Sequence, residues 1–328
     1  MLPVSRSQAA QRAGRAGREA PGHCYRLYTE VAFCGLAETA PPEIERVNIA
    51  QVVLQLKILG ADPASFRFVT APPAEALRSA LLLLLSLGAL GGDQEITEHG
   101  RRMAQLPLDP QYAHLLLKAP EFKCTAEVLS AVAMLSTDNL FLVPAGDEQR
   151  RQAAVAQKRF ASQHGDLPSL VSIHDAWETA RRDGGWARRN FLSGRALSHA
   201  VKIRGQLEEL LRSMAVDPST SCRPAHEPFL RCLTVGLALN VARRSHDLGA
   251  APGAKRSGAA PYRTLRGGQQ VFVHPSSVLF PLAARNALPE CVVFAEILQT
   301  SKQYMRTITA IKADWLTELL PAVYKKRP

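Results

Sequence analysis

Several features are missing from these 328 residues, and each absence narrows the field. No apolar run approaches the ~18 residues that a membrane-spanning helix needs. The longest, residues 80–85, is flanked by Arg78 and Ser86, so no membrane span is expected. The opening residues are charged and glycine-rich and lack the apolar core of a secretory signal. The six cysteines form no C-x-x-C pair and have no histidine pair at zinc spacing. They read as reduced, mostly buried thiols, and no metal site is expected. Neither a G-x-x-x-x-G-K-[ST] phosphate loop nor an acidic Mg²⁺-holding motif occurs. A chain without those two parts is not expected to hydrolyse ATP by itself. Aromatic residues amount to only 6%, which favours contacts that track a nucleic-acid backbone over base stacking.

What is present begins with charge. The net +11 is gathered into patches: residues 181–204 hold seven Lys or Arg against one Asp, residues 243–266 hold six against one, and the end carries Lys325-Lys326-Arg327. Patches of this kind are the footprint of a nucleic-acid binder. Near the start stands Gln11-Arg12-Ala13-Gly14-Arg15-Ala16-Gly17-Arg18. Three permanently charged, planar donors spaced by small residues in a turn suit one task, the surrounding of a polyphosphate.

The pattern along the chain predicts several domains, mainly α with a C-terminal β-barrel. Cys24 to Thr29 alternates as a short strand, and the first 30 or so residues are expected to be loosely ordered for want of a sheet to join. Pro41-Pro42-Glu43 marks a boundary, after which a helix runs to Gly60 and a second from Pro73 to Gly88. A turn at Gly91-Gly92-Asp93 and a short helix from Thr97 complete a winged-helix pattern. Residues 110–215 read as helical throughout, with Ser169 as an N-cap, Gly184-Gly185 past a helix end, and one long helix over 186–214. One face of that last helix presents Arg188, Arg189, Arg195, Lys202 and Arg204 with no acid between them, which points to phosphate contact. A helix over 229–242 and a flexible insert over 249–258 precede a period-two region. There, strands at 262–265, 270–273, 291–298 and 304–311, with a closing helix, suggest a barrel of the oligonucleotide-binding (OB) type. The loop His274-Pro275-Ser276-Ser277 offers small hydroxyls and backbone N–H groups to a phosphate. His274 itself reads as structural, having no nucleophile or metal partner beside it, and Trp177, Trp186 and Trp315 read as core.

Q-R-A-G-R-A-G-R resembles the last motif of superfamily 2 helicases in the form carried by the DEAH-box RNA helicases, and G-x-C-Y-R-L-Y-T follows it there as a closing strand. The resemblance continues in order through P-P-A-E-A-L, T-x-x-G-R-x-M-A-x-L-P-L-D-P, A-M-L-S-x-D-N-x-F, the G-D segment, N-F-L-x-x-R-A-L, V-x-V-H-P-S-S-V-L-F and T-S-K-x-Y-M-R. It implies a remnant of the second RecA-like motor domain (1–30), a linker (31–42), a winged helix (43–108), a helical-bundle or ratchet domain (109–218) and an OB-like domain (219–328). It implies that Gln11, Arg15 and Arg18 reach the γ-phosphate of ATP, the arginines as fingers, with Arg12 and Gly14 in the same nucleotide-binding turn and Mg²⁺ held elsewhere. Single-stranded RNA would be gripped by the five cations above and by Pro275, Ser276 and Ser277, with Arg263, Lys302 and Arg306 nearby. A glycine-rich-patch activator on the winged helix, a ribonucleoprotein assembly and a nuclear site are implied by analogy alone. Three readings stand. The first, favoured because the sequence begins just before a motif, is the C-terminal part of a longer helicase. The others are a free-standing RNA-binding or adaptor protein without ATPase activity, and an arginine-finger donor acting in trans.

Overall fold

The computed structural model describes residues 4–137, 139–245, 261–300, 302–321 and 323–324. The insert at 249–258, with Lys255-Arg256, and the terminal Lys325-Lys326-Arg327 lie outside the described residues. The chain divides into two units, residues 1–82 and 83–328.

The first unit opens with α1 (Arg6–Ala13), fixed by a reciprocal cap: the Ser5 hydroxyl accepts from the Gln8 N–H and the Gln8 side chain accepts from the Ser5 N–H. Backbone bonds from Arg6 and Ser7 to the carbonyls of Ala37 and Glu38 hold its start. The expected strand at 24–29 does not form; Tyr25 and Leu27 are 84% and 99% exposed, and no strand in the unit supplies a partner ladder among the described residues. α2 (Glu30–Cys34) follows, capped by Thr29. Glu43 opens only a single 3-10 turn, and the long helix expected from there is α3 (Ala50–Ile58), entered where Asn48 Oδ1 accepts from the Ala50 N–H. Its apolar face is narrower than expected: Val53, Leu54 and Leu56 are buried, whereas Val47, Val52 and Leu59 are exposed. Gly60 ends it at φ +72°, a conformation that costs glycine nothing. α4 (Ala74–Ser86) contains the division between the units.

In the second unit the wing shrinks to one bridge, Leu90 with Ile96, before α5 (Glu98–Ala104), capped by the Thr97 hydroxyl. α6 (Pro110–Lys118) and α7 (Thr125–Leu135) lead into α8 (Asp147–Lys158) and α9 (Asp166–Thr179). Three corrections apply to the helical region. Gly165, not Ser169, is the N-cap of α9; Ser169 is buried one turn inside, its hydroxyl donating to the Gly165 carbonyl. Gly184 and Gly185 lie past the end of α9 but do not cap it; they begin α10 (Gly184–Arg189), because Asp183 accepts from the N–H groups of Gly185 and Trp186. The single helix expected over 186–214 is broken: Phe191 turns at φ +53°, and α11 (Gly194–Ser213) restarts behind a Ser193 cap. Met134, Ile173, Trp177, Leu192 and Leu197 form the core of this bundle.

α12 (Glu227–Gly236) stops earlier than expected, and residues 241–244 are a strand, β1 (Val241–Arg244). With β2 (Tyr262–Thr264), β3 (Gln270–Val273), β4 (Cys291–Gln299) and β5 (Gln303–Ile311) it closes a barrel in the order β1-β2-β3-β5-β4. All neighbours are antiparallel except β3 and β5, which run parallel. Tyr262, Val271, Val273, Val292, Met305 and Ile308 fill its interior. α13 (Phe280–Ala284) and α14 (Asp314–Leu319) complete the chain. Trp177 and Trp315 are buried and Trp186 packs against the bundle core. The cysteines are all unpaired; Cys124, Cys232 and Cys291 are buried, but Cys24 and Cys34 are exposed, against expectation. Among the described residues no helix is long and apolar enough to cross a membrane.

Candidate nucleic-acid interface

In the first unit, Gln11 and Arg12 lie on the last turn of α1 rather than in a loop. Gly14 and Arg15 continue into turns whose N–H groups bond back to Ala10 and Arg12. Gln11, Arg12, Gly14, Arg15 and Arg18 are all exposed, and none of these arginines has an ion pair among the described residues. Gly22 packs where a Cβ would stand 2.0 Å from the Ala16 carbonyl oxygen, so the arginine turns are backed by the chain that follows them.

In the second unit the expected cations separate into three places. Arg195 and Lys202 are exposed on one side of α11 and line a cleft of about 630 Å³ with Ser136, Thr137, Asn139, Ser193, Ser198 and His199. No carboxylate is among the described residues of that lining. The cleft exists because residues 139–142 pair with the α10–α11 turn: Phe141 bridges Leu192, Leu142 N–H donates to the Phe191 carbonyl, and Ser193 N–H donates to that of Leu140. Arg188 and Arg189 sit apart on α10, exposed and outside this lining, and Arg189 pairs with Asp183 at 3.3 Å. Arg204 faces the other way. Its guanidinium pairs with Glu208 and donates to the Ser130 hydroxyl at 3.2 Å, so its charge is already matched and its assignment to a phosphate is corrected. Sequence reasoning missed this because it counted acids only as far as Arg204, while the partner stands one turn beyond.

A second cleft, of about 530 Å³, adjoins the first, since Thr137 and Asn139 line both. Its walls are Tyr112, Met134, Leu140, Phe141 and Leu170 from the helices and Ala295, Glu296, Arg306 and Thr307 from the barrel. Burial raises the Tyr112 phenol to about 12, with Asp109 and Glu296 adding to it, so the hydroxyl stays neutral. Arg306 pairs with Glu296 at 3.0 Å yet remains 46% exposed. With five N–H donors, it keeps donors to spare.

The loop after β3 is less open than expected. Ser276 donates its N–H to Nδ1 of His274 (3.1 Å), its hydroxyl lies 2.7 Å from the same nitrogen, and Ser277 N–H donates to the His274 carbonyl. Ser277 is buried, its hydroxyl bonded to Asp166, so that hydroxyl is not available to a ligand. Pro275 and Ser276 remain exposed. Burial first, and then the charge of Arg306, lowers the His274 pKa, so the ring is a neutral acceptor that organises the turn. Of the three cations expected nearby, only Arg306 is at this end of β3. Lys302 and Arg263 stand at its other end: Lys302 Nζ lies 4.8 Å from the Phe272 ring centre, and Arg263 is paired in register with Gln270.

The residue that sequence reading passed over as a helix start is Asp166. Its carboxylate accepts from the Ser277 hydroxyl (3.1 Å), the Val278 N–H (2.8 Å) and the Ile308 N–H (2.7 Å). The signal for it was the G-D pair itself.

A bundle of helices carrying a closed five-stranded barrel, with a cationic cleft on the bundle and a second cleft beside it between bundle and barrel, is an architecture suited to a polyanion-binding protein. Comparison agrees with that class. Residues 80–108 match the helicase-associated winged-helix domain, residues 109–194 the ratchet-like helicase-associated domain, and residues 230–324 the oligonucleotide/oligosaccharide-binding fold. The chain is 40% identical over 99% of its length to the human probable ATP-dependent RNA helicase DHX35, covering 44% of that protein. It is 37% identical over 98% to the Arabidopsis thaliana pre-mRNA-splicing factor ATP-dependent RNA helicase DEAH10, covering 44% of it. With prp22 of Schizosaccharomyces pombe, a pre-mRNA-splicing factor ATP-dependent RNA helicase, identity is 36% over 99% of the chain and 26% of the relative. The chain thus spans less than half the length of these curated relatives, and what it matches is the C-terminal, helicase-associated region of DEAH-box RNA helicases.

Proposed function

We propose that the second unit grips single-stranded RNA by its phosphates along the two adjoining clefts, as part of an ATP-dependent RNA helicase. The observation that carries this is the distribution of available charge. Arg195 and Lys202 line one cleft with no ion pair among the described residues, and Arg306, although paired with Glu296, stands exposed in the next with donors to spare. Phosphate oxygens meet these cations; Met134, Leu140 and Phe141 offer apolar surface to ribose and base; and the Ser276 hydroxyl can turn from His274 to a phosphate. Such contacts carry little sequence information and strong salt dependence.

Gln11, Arg15 and Arg18, with Arg12 and Gly14 beside them, fit the outer face of a polyphosphate, since their side chains are exposed and unmatched. Bound ATP would supply the phosphoanhydride, and these arginines would hold its terminal charge. Mg²⁺ would accompany the nucleotide in the whole helicase; among the described residues no group of three His, Cys, Asp or Glu gathers, and no role is derived for it here. The 328 residues alone are expected to be inactive as an ATPase. By the same reading the winged helix, where Val52 of α3 and Leu59 just past its end are exposed, receives a glycine-rich-patch activator, and the protein works in a nuclear ribonucleoprotein assembly during RNA processing. The domain limits 1–30, 43–108, 109–218 and 219–328 belong to this proposal. A free-standing RNA-binding role without ATPase activity is favoured by one observation, that both clefts are built wholly within the second unit.

Fluorescence anisotropy with a labelled oligouridine tests the grip. Three phosphate contacts predict a log–log salt slope of about −2. Absence of binding at low salt would overturn the reading.

A further inference from the structure

The RNA-contacting groups of the barrel are set in place by a side chain from outside it. Segment 164–166, leading into α9, lies along β5 like an added strand. The Ala310 N–H donates to the His164 carbonyl at 2.8 Å, Gly165 bridges Thr309, and the Ile308 N–H donates to Asp166. It occupies the part of β5 beyond residues 304 and 305, where pairing with β3 ends. The approach is as close as a backbone allows: a Cβ on Gly165 would lie 2.3 Å from the Ile308 carbonyl oxygen, and Gly165 holds φ +120°. Asp166 then spans two stretches of barrel 30 residues apart. One carboxylate oxygen accepts from Ser277 and Val278, directly after Pro275 and Ser276, and the other accepts from Ile308, two residues after Arg306. Thr307, between Arg306 and Ile308, turns at φ +54°, so the direction in which Arg306 leaves the strand depends on where Ile308 is held.

We propose that Asp166 is a positioning residue for RNA binding, a carboxylate clamp that fixes the His274–Ser277 turn and Arg306 at a set spacing beside the second cleft. The role rests on the RNA-gripping reading above. It requires an ionised carboxylate specifically. A carboxylate has acceptor capacity on both oxygens, whereas the amide of asparagine presents an acceptor to one stretch and a donor to the other. In Asp166→Asn, whichever way the amide turns, either the Ile308 N–H or the Ser277–Val278 pair faces an NH₂ group and is released.

The experiment is a double-mutant cycle on the full 328-residue chain, read by oligouridine anisotropy at several salt concentrations. Asp166→Asn is expected to weaken binding about tenfold, roughly the loss of one oriented phosphate contact. It is also expected to flatten the salt slope as Arg306→Ala does. On the Arg306→Ala background the same substitution should add less than about twofold, because both act through one contact. Full additivity of the two effects, or wild-type affinity in Asp166→Asn, overturns the clamp while leaving RNA binding intact. Failure of the wild-type chain to bind oligouridine overturns the underlying reading and the clamp with it. A measurement independent of any variant is amide hydrogen exchange in the wild type. Slow exchange at both Val278 and Ile308 is required, and exchange there as fast as in the exposed Arg266–Gly268 turn overturns the clamp even should Asp166→Asn fail to fold.

Discussion

The two sides of α11 carry cations of the same kind in opposite circumstances. On one side Arg195 and Lys202 stand exposed along a cleft whose described lining has no acid. On the other, Arg204 lines a cleft of about 470 Å³ with Glu127, Asp175, Glu178 and Glu208, and every arginine there has a carboxylate: Arg204 with Glu208, Arg182 with Glu178, and Arg223 with both Glu127 and Asp175. Matched charge holds helices and the 217–223 linker together; unmatched charge is left for a polyanion. The count of positive residues on a helix therefore says little until their partners are known.

The largest expected effect lies on the matched side. Glu127 is buried and accepts from the Ser221 hydroxyl and the Cys222 N–H while pairing with Arg223. Glu127→Ala is expected to destabilise the unit by about 3 kcal/mol, read from urea unfolding, because it leaves those donors without an acceptor. RNA affinity of the folded fraction should not change, and a large affinity loss would erase the contrast between the sides.

On the unmatched side, Arg195→Ala with Lys202→Ala is expected to cost about 100-fold in oligouridine affinity and to reduce the salt slope by ~1.4, with unfolding little altered. A stability loss in place of an affinity loss would mean these cations are structural too.

Acid provides a third separation, because neither side of α11 should govern the pH dependence of folding. His99 Nε2 and His114 Nδ1 lie 2.8 Å apart, and burial lowers both pKa values, that of His114 to about 3. Their folded pKa values lie below the unfolded ones, so the unfolded chain binds more protons as pH falls. Stability is then complete above the unfolded value of ~6.5 and declines below it, by up to about 1.4 kcal/mol per pH unit for each ring. Replacing His114 by Gln should flatten that decline, and an unchanged profile would remove the pair as its cause.

The smallest effect is expected from Arg188→Ala with Arg189→Ala. Exposed on α10, outside both clefts and with Arg189 matched to Asp183, they should alter RNA affinity by less than about threefold. A loss as large as that of the Arg195 and Lys202 pair would restore the reading of all five cations as one surface.

Legibility followed the range of the interactions. The cap at Thr97, the glycine stops at Gly60 and Gly88, and strands β2 to β5 could be read because each depends on neighbours within a few residues. β1 was taken for the end of a helix because four residues, V-A-R-R, have no period of their own, and only pairing with β2 and β4 makes them a strand. The break at Phe191 escaped for a similar reason: it is accompanied by a bridge between Leu192 and Phe141, 51 residues earlier. In the site, Arg195, Lys202 and Arg306 were recognisable as cations, but not that Arg204 and Ser277 were already engaged.

By itself the sequence determined the order of domains, the chemistry on offer and the absence of a phosphate loop, because these are properties of residue identity and local spacing. Which cations remain unmatched, where the two clefts meet and how Asp166 ties the barrel to α9 were decided only in the tertiary structure. The contacts that fix Arg204 and Asp166 join residues that the chain brings together from 74 to 142 positions apart.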